Sequence, residues 1–177
     1  FSAFVERSQP SFVVMMGDQV YLDEDAPNVF KLHLHSDSAT RRRAMAEMYR
    51  FNWSRDPVRQ VLANVPTYMI MDYHDTTDDW NLNPIWVERV NNTTFGRAIL
   101  RNALASYTIF QDWGNDPVRY LSEDTAAAGD PKRMLDTIPT MFPKRASATA
   151  KPATADVPAK PVMDALDKFY GLDQRPK

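Results

Sequence analysis

The sequence predicts an α/β fold with parallel strands joined by helical crossovers, and three observations carry that expectation. Two short apolar runs rich in strand-forming residues, Ser11 to Met16 and Thr67 to Met71, each stop at an acidic residue. Between them lie two segments of helical periodicity, so the order is strand, helices, strand, the order of a crossover between parallel strands and not of a hairpin. The third observation is size: 177 residues, 44% of them hydrophobic, are enough for one globular core. Strands of a parallel sheet are expected to be buried on both faces.

The elements follow in order. The first run, Ser-Phe-Val-Val-Met-Met, ends at Gly17-Asp18, as a strand leading into a turn does. Ser36 to Phe51 reads as a helix, with Ala44, Met45, Met48 and Tyr49 at helical spacing and Arg41, Arg42 and Arg43 on its wet side. Asp56-Pro57 reads as a cap and a first-turn proline, opening a short helix with Val58, Val61 and Leu62 on one side. After the second run comes a polar stretch, Asp72 to Asn83, then a short helix from Pro84. A longer helix from about Thr94 to Gln111 carries Phe95, Ile99, Leu100, Ala103, Leu104 and Tyr107 as a broad apolar stripe. Lys144 to Val162 holds six alanines and three prolines and no aromatic residue, too little apolar surface to offset chain entropy. The expected organisation is therefore an α/β portion over 1–143, a linker or arm over 144–161, and a short docking helix with its tail over 162–177. Met163, Leu166 and Phe169 form that helix's apolar side, before Gly171.

Composition excludes several classes. With 21 basic against 23 acidic residues there is no strong positive field, and no nucleic-acid-binding signature. The absence of cysteine rules out disulfides, zinc-thiolate sites and thiol nucleophiles, so any metal must bind through oxygen or imidazole. No apolar run approaches the roughly 20 residues that span a bilayer. The chain opens at Phe1 without Met, the expectation being a processed form, a trimmed form or one piece of a longer chain.

The chemistry concentrates where the apolar runs end. The first continues as Gly17-Asp18-Gln19-Val20-Tyr21 and the second as Asp72-Tyr73-His74-Asp75. Ligands of open α/β sheets sit at the carboxyl ends of strands, so two neighbouring ends would bring Asp18, Asp72 and His74 to one crevice. Carboxylates with imidazole suit a hard or borderline metal pair able to activate water for phosphoester hydrolysis. The bland alternative stands beside it: Gly-Asp after a strand also makes an ordinary turn, and acidic loops also cap helices.

Val14-Met15-Met16-Gly17-Asp18-Gln19-Val20-Tyr21, followed by Asn52-Trp53-Ser54, Val65-Pro66-Thr67, Met71-Asp72-Tyr73-His74-Asp75 and Asp78-Asp79-Trp80-Asn81, resembles the PhoD-like (alkaline phosphatase D) branch of the calcineurin-like metallophosphoesterases. The resemblance covers the first half of the chain. It implies a metallophosphoesterase-like α/β/β/α sandwich and a binuclear metal centre, iron with calcium or other divalent ions, that hydrolyses phosphomonoesters or phosphodiesters. It further implies that Asp18 bridges the metals, that Tyr21 ligates iron, that Asp72 or Tyr73 adds a ligand, and that His74 lies at the substrate phosphate. By family analogy the address is the periplasm or the cell exterior.

Two departures accompany it. The family's Asp-Asp-His is here Asp72-Tyr73-His74, with a tyrosine at a ligand position; and neither an upstream strand ending in aspartate nor a later Gly-His-x-His segment is present, His74 being the last histidine. A two-metal centre needs about eight to ten donor atoms, and Asp18, Tyr21, Asp72, Tyr73 and His74 supply fewer. The expectation is an incomplete portion of a longer phosphatase, or a non-catalytic scaffold or interaction subunit derived from one, which could hold a protein partner through the C-terminal arm and helix. Other features carry less: His33 and His35 alternate with leucines but lack a third ligand, the acidic patch of Asp72, Asp75, Asp78 and Asp79 lacks the spacing of a calcium loop, and Trp80, Trp86 and Trp113 read as packing residues.

Overall fold

The computed structural model describes residues 2–21, 38–80 and 82–121 together with residues 164, 166–168, 170 and 172; His33, His35 and the expected linker over 144–161 lie outside them. Helix α1 (Ser2–Ser8) precedes strand β1 (Val13–Met16), and the crossover is made by α2 (Ser38–Trp53) and α3 (Asp56–Asn64) before strand β2 (Thr67–Ile70). A single helical turn, Tyr73–Asp75, leads to α4 (Pro84–Asn92) and α5 (Thr94–Tyr107); α5 widens into a π-helical turn over Thr108–Asp112, and a last turn, Trp113–Asn115, precedes α6 (Pro117–Leu121). The two strands pair in parallel, Val13 opposite Thr67 through Met16 opposite Ile70, as the strand, helices, strand order predicts.

The helices form where side-chain chemistry starts and stops them. Asn83 accepts from the backbone N–H groups of Ile85 and Trp86 at the start of α4, which has Pro84 in its first turn. Thr93 both ends α4 and caps α5 through a bond from Gly96 N. Gly96 is required there: a Cβ would lie 2.1 Å from the carbonyl oxygen of Val90. The start of α3 differs from the expected cap. Arg55 occupies the N-cap position without a side-chain bond, and Asp56 is already helical, where its carboxylate pairs with Arg59 at 2.8 Å.

Helix α5 is the centre of the packing. Its Ile99 and Ala103 join Val20, Met45, Met48 and Tyr49 in one core cluster, flanked by Trp53, Phe95 and Phe110. The next residues along it, Leu100 and Leu104, join Trp80, Val90 and Leu172 in a second. A helix with two apolar sides is buried by neighbours on both, and the stripe read from the sequence is the junction of two clusters. From the C-terminal residues, Leu166 is buried, Asp167 makes a two-pronged ion pair with Arg101 at 2.5 and 2.6 Å, and the Tyr170 hydroxyl lies 2.7 Å from Thr108 Oγ1. Trp80 is buried and Trp86 half-buried, whereas Trp113 is exposed.

The sheet departs from expectation in its burial. Met69 is buried and Val13, Met15 and Thr67 are half-buried, but Val14, Met16, Tyr68 and Ile70 are 50%, 77%, 47% and 51% exposed. Side chains alternate across a strand, so among the described residues one face of the pair is packed and the other is exposed. Phe12 extends the bare face, its ring edge-on to Tyr68 at 6.2 Å. On the outer edge of β2 the side chain of Asn115 takes the part of a neighbouring strand: Met69 N donates to Asn115 Oδ1 at 2.8 Å and Asn115 Nδ2 donates to Met69 O at 2.6 Å. No helix among the described residues is long and apolar enough to cross a membrane.

Candidate functional site

The carboxyl ends of β1 and β2 meet. At the end of β1 the backbone enters the left-handed region at two successive residues, Gly17 (φ +88°) and Asp18 (φ +53°). Glycine adopts this at no steric cost and aspartate tolerates it better than most residues. Space makes the glycine necessary as well: a Cβ at position 17 would lie 2.3 Å from Asp72 Cβ. The reversal turns the Asp18 side chain toward the end of β2, where Oδ1 accepts from His74 N at 3.3 Å. Its second oxygen takes no hydrogen bond among the described residues.

The end of β2 is a self-capped turn. Asp72 and Asp75 form a capping box, in which the Asp72 side chain accepts from the Asp75 backbone N–H and Asp75 Oδ2 accepts from Asp72 N at 3.1 Å; the Asp72 carboxylate also accepts from Tyr73 N at 2.8 Å. The turn aims His74 inward. Its ring, on a residue only 8% exposed, stacks on Tyr21 at a centroid distance of 4.4 Å and 29°, and meets Tyr73 at 4.4 Å and 45°. Asp18, Tyr21, Tyr73 and His74 are thus brought together at the two strand tips, with Asp72 exposed at the rim.

Electrostatics separates the acidic groups. Partial desolvation, then the carboxylates of Asp18, Asp78 and Asp72 and the Tyr21 phenol, raise the Tyr73 phenol above its ordinary range, so Tyr73 is a neutral hydrogen-bonding group unless a cation opposes those charges. Asp75 is inaccessible to solvent, and burial raises its pKa despite the donors that surround it. Burial, with Asp75 nearby, raises the Tyr49 phenol well above its ordinary value.

The donor set does not fit the binuclear centre that the resemblance implies. Among the described residues no group of three or more His, Asp or Glu side chains is gathered so as to hold a metal ion. Asp18 and Asp72 each spend an oxygen on a backbone N–H, and both oxygens of Asp75 are engaged. Asp18, Tyr21, Asp72 and Tyr73 amount to a partial shell. Two grooves lined by described residues lie elsewhere: one of about 700 Å³ between α1 and α3, lined by Val5, Gln9, Gln60 and Asn64, and one of about 510 Å³ lined by Trp53, Leu62, Pro66 and Met69.

Comparison with protein-family models, with curated proteins and with solved structures finds no match.

Sequence reasoning missed the groups behind the corner. Read from the sequence, Asp75 has no role of its own beyond the Asp72-Tyr73-His74-Asp75 segment and the acidic patch, although four residues from Asp72 to Asp75 is the spacing of a capping box. Gln111 lay at the end of an apolar stripe, and a lone buried amide there was the available signal. Tyr49, at a core position of its helix, also carries a hydroxyl that accepts from Gln111 Nε2 at 2.9 Å.

Proposed function

We infer that the corner formed by Asp18, Tyr21, Asp72, Tyr73 and His74 belongs to a metal-dependent phosphoester hydrolase of the PhoD-like kind, or to a segment of one. The observation that carries this reading is the meeting of Asp18 with His74 at adjoining parallel strand tips, where α/β sheets bind their ligands. In this reading the strand pair is a portion of an α/β/β/α sandwich. Asp18 offers its uncommitted oxygen as the first metal-binding atom. His74, held by its aromatic neighbours, is the group that hydrogen-bonds a phosphoryl oxygen. A binuclear centre, iron with calcium or other divalent ions, would need further ligands beyond the partial shell of Asp18, Tyr21, Asp72 and Tyr73.

A second reading, a non-catalytic scaffold derived from such an enzyme, is favoured by the same carboxylates. Asp18 and Asp72 hold backbone N–H groups, a use that needs no metal.

Metal analysis of the purified full natural chain, with turnover of p-nitrophenyl phosphate and its bis ester, separates the two. The hydrolase reading expects bound metal and a metal-dependent rate that falls about 100-fold or more in Asp18→Ala. No bound metal at any pH, together with no metal-dependent turnover, leaves the scaffold.

A further inference from the structure

We propose that Asp75 is the positioning residue of the corner: its buried carboxylate, oriented by Gln111 from the π-helical turn, sets how Asp18 meets His74. This goes beyond the hydrolase reading, since it concerns what holds the two strand tips whatever chemistry they perform.

Asp75 collects donors from three segments far apart in sequence. Oδ1 accepts from Gln19 N at 3.1 Å and Val20 N at 3.2 Å, the two residues directly after Asp18, and from Gln111 Nε2 at 3.2 Å; Oδ2 accepts from Asp72 N at 3.1 Å. A carboxylate offers about four acceptor sites, and all four donors need one. Asparagine has the same shape but would turn an NH₂ toward one of those N–H groups. The residues so fixed flank the contact of interest, which is the bond from His74 N to Asp18 Oδ1.

Gln111 points to the same conclusion. The wider π-turn puts an amide among apolar neighbours, 2% exposed, and its nitrogen divides between Asp75 and the Tyr49 hydroxyl. Its oxygen, Oε1, is buried and has no hydrogen-bond partner among the described residues. Plain core packing would favour an apolar side chain over an amide with an unpaired oxygen. What the amide supplies is a donor aimed at Asp75. Tyr49, stacked on Phe110 at 4.6 Å and 12°, ties that donor to the crossover helix α2.

The readout is the His74 imidazole proton resonance, assigned by its loss in His74→Asn and displaced in the parent by the rings of Tyr21 and Tyr73. In Asp75→Asn it moves toward the position of a solvent-exposed histidine while far-UV circular dichroism and cooperative unfolding are retained. Gln111→Met, which removes one donor and keeps the bulk, moves it less in the same direction. If Asp75→Asn fails to fold, Gln111→Met decides. An unmoved His74 signal in the folded variants overturns the proposal, since a merely structural Asp75 would lower stability and leave that signal in place. A chain that responds in this way but hydrolyses no phosphoester keeps the proposal and loses the hydrolase reading; metal-dependent hydrolysis with an unmoved His74 does the reverse.

Discussion

The tips of the two strands and the outer face of the same strands are held in opposite ways. At the tips, Gly17, Asp18, Tyr21, Asp72, His74 and Asp75 are joined by close backbone approach, by the stacking of Tyr21 on His74, and by hydrogen bonds that span 55 or 56 positions of sequence. On the face, Val14, Met16, Tyr68 and Ile70 are about half exposed or more. A two-stranded sheet is marginal alone, so this pair draws its order from one covered face and from the loops at its ends. Polar groups at a strand end can hold a sheet together where apolar burial is one-sided.

The largest expected effect breaks the tips. Gly17→Ala puts a methyl 2.3 Å from Asp72 Cβ at a backbone angle of φ +88°, and the loss of stability in urea should be on the order of 3 kcal/mol or more. A loss below about 1 kcal/mol would mean that the tips part easily. Next, the two faces can be compared at matched chemistry. Met69→Ala, on the covered face, should cost about 2–5 kcal/mol, and Met16→Ala, 77% exposed on the other, should stay within about 0.5 kcal/mol. Equal losses would show that the outer face is covered in solution.

The smallest effect concerns acid. Burial raises the Asp75 pKa in the folded chain, so between its unfolded and its raised folded value the folded state binds the proton more tightly. Stability therefore falls as pH rises through that window, by an amount equal to the pKa displacement. Urea midpoints across the acid range should show this slope, and Asp75→Asn should remove it. A slope unchanged in Asp75→Asn would assign it to another group.

Much of this was legible because it is local. The two apolar runs, the crossover between them, and the helices from Ser38, Pro84 and Thr94 all follow from periodicity and capping, which act within a few residues. That Asp18 and His74 meet was legible too, since it needed only the parallel pairing of strands that both end in acidic residues. What escaped depends on distance. Gln111 reaches Asp75 only because α5 widens at its end, and no pattern of apolar residues announces a π-turn. The bare face escaped for a related reason: Val14 and Met16 read as core because parallel strands are usually covered on both sides, and alternation alone does not say whether a second layer is there. Arg55 holds the N-cap of α3, while Asp56 lies inside the first turn and pairs with Arg59, a one-residue shift the Asp-Pro signal does not register.

Asn115 gives the sheet a direction. By engaging both main-chain groups of Met69 it closes the far side of β2 to any incoming strand, as a side chain imitating a neighbour. Extension of this sheet, by its own chain or by another, is therefore one-sided: a third strand must be laid down beside β1, next to the Asp18 turn, and would bring its own residues to the rim of the corner.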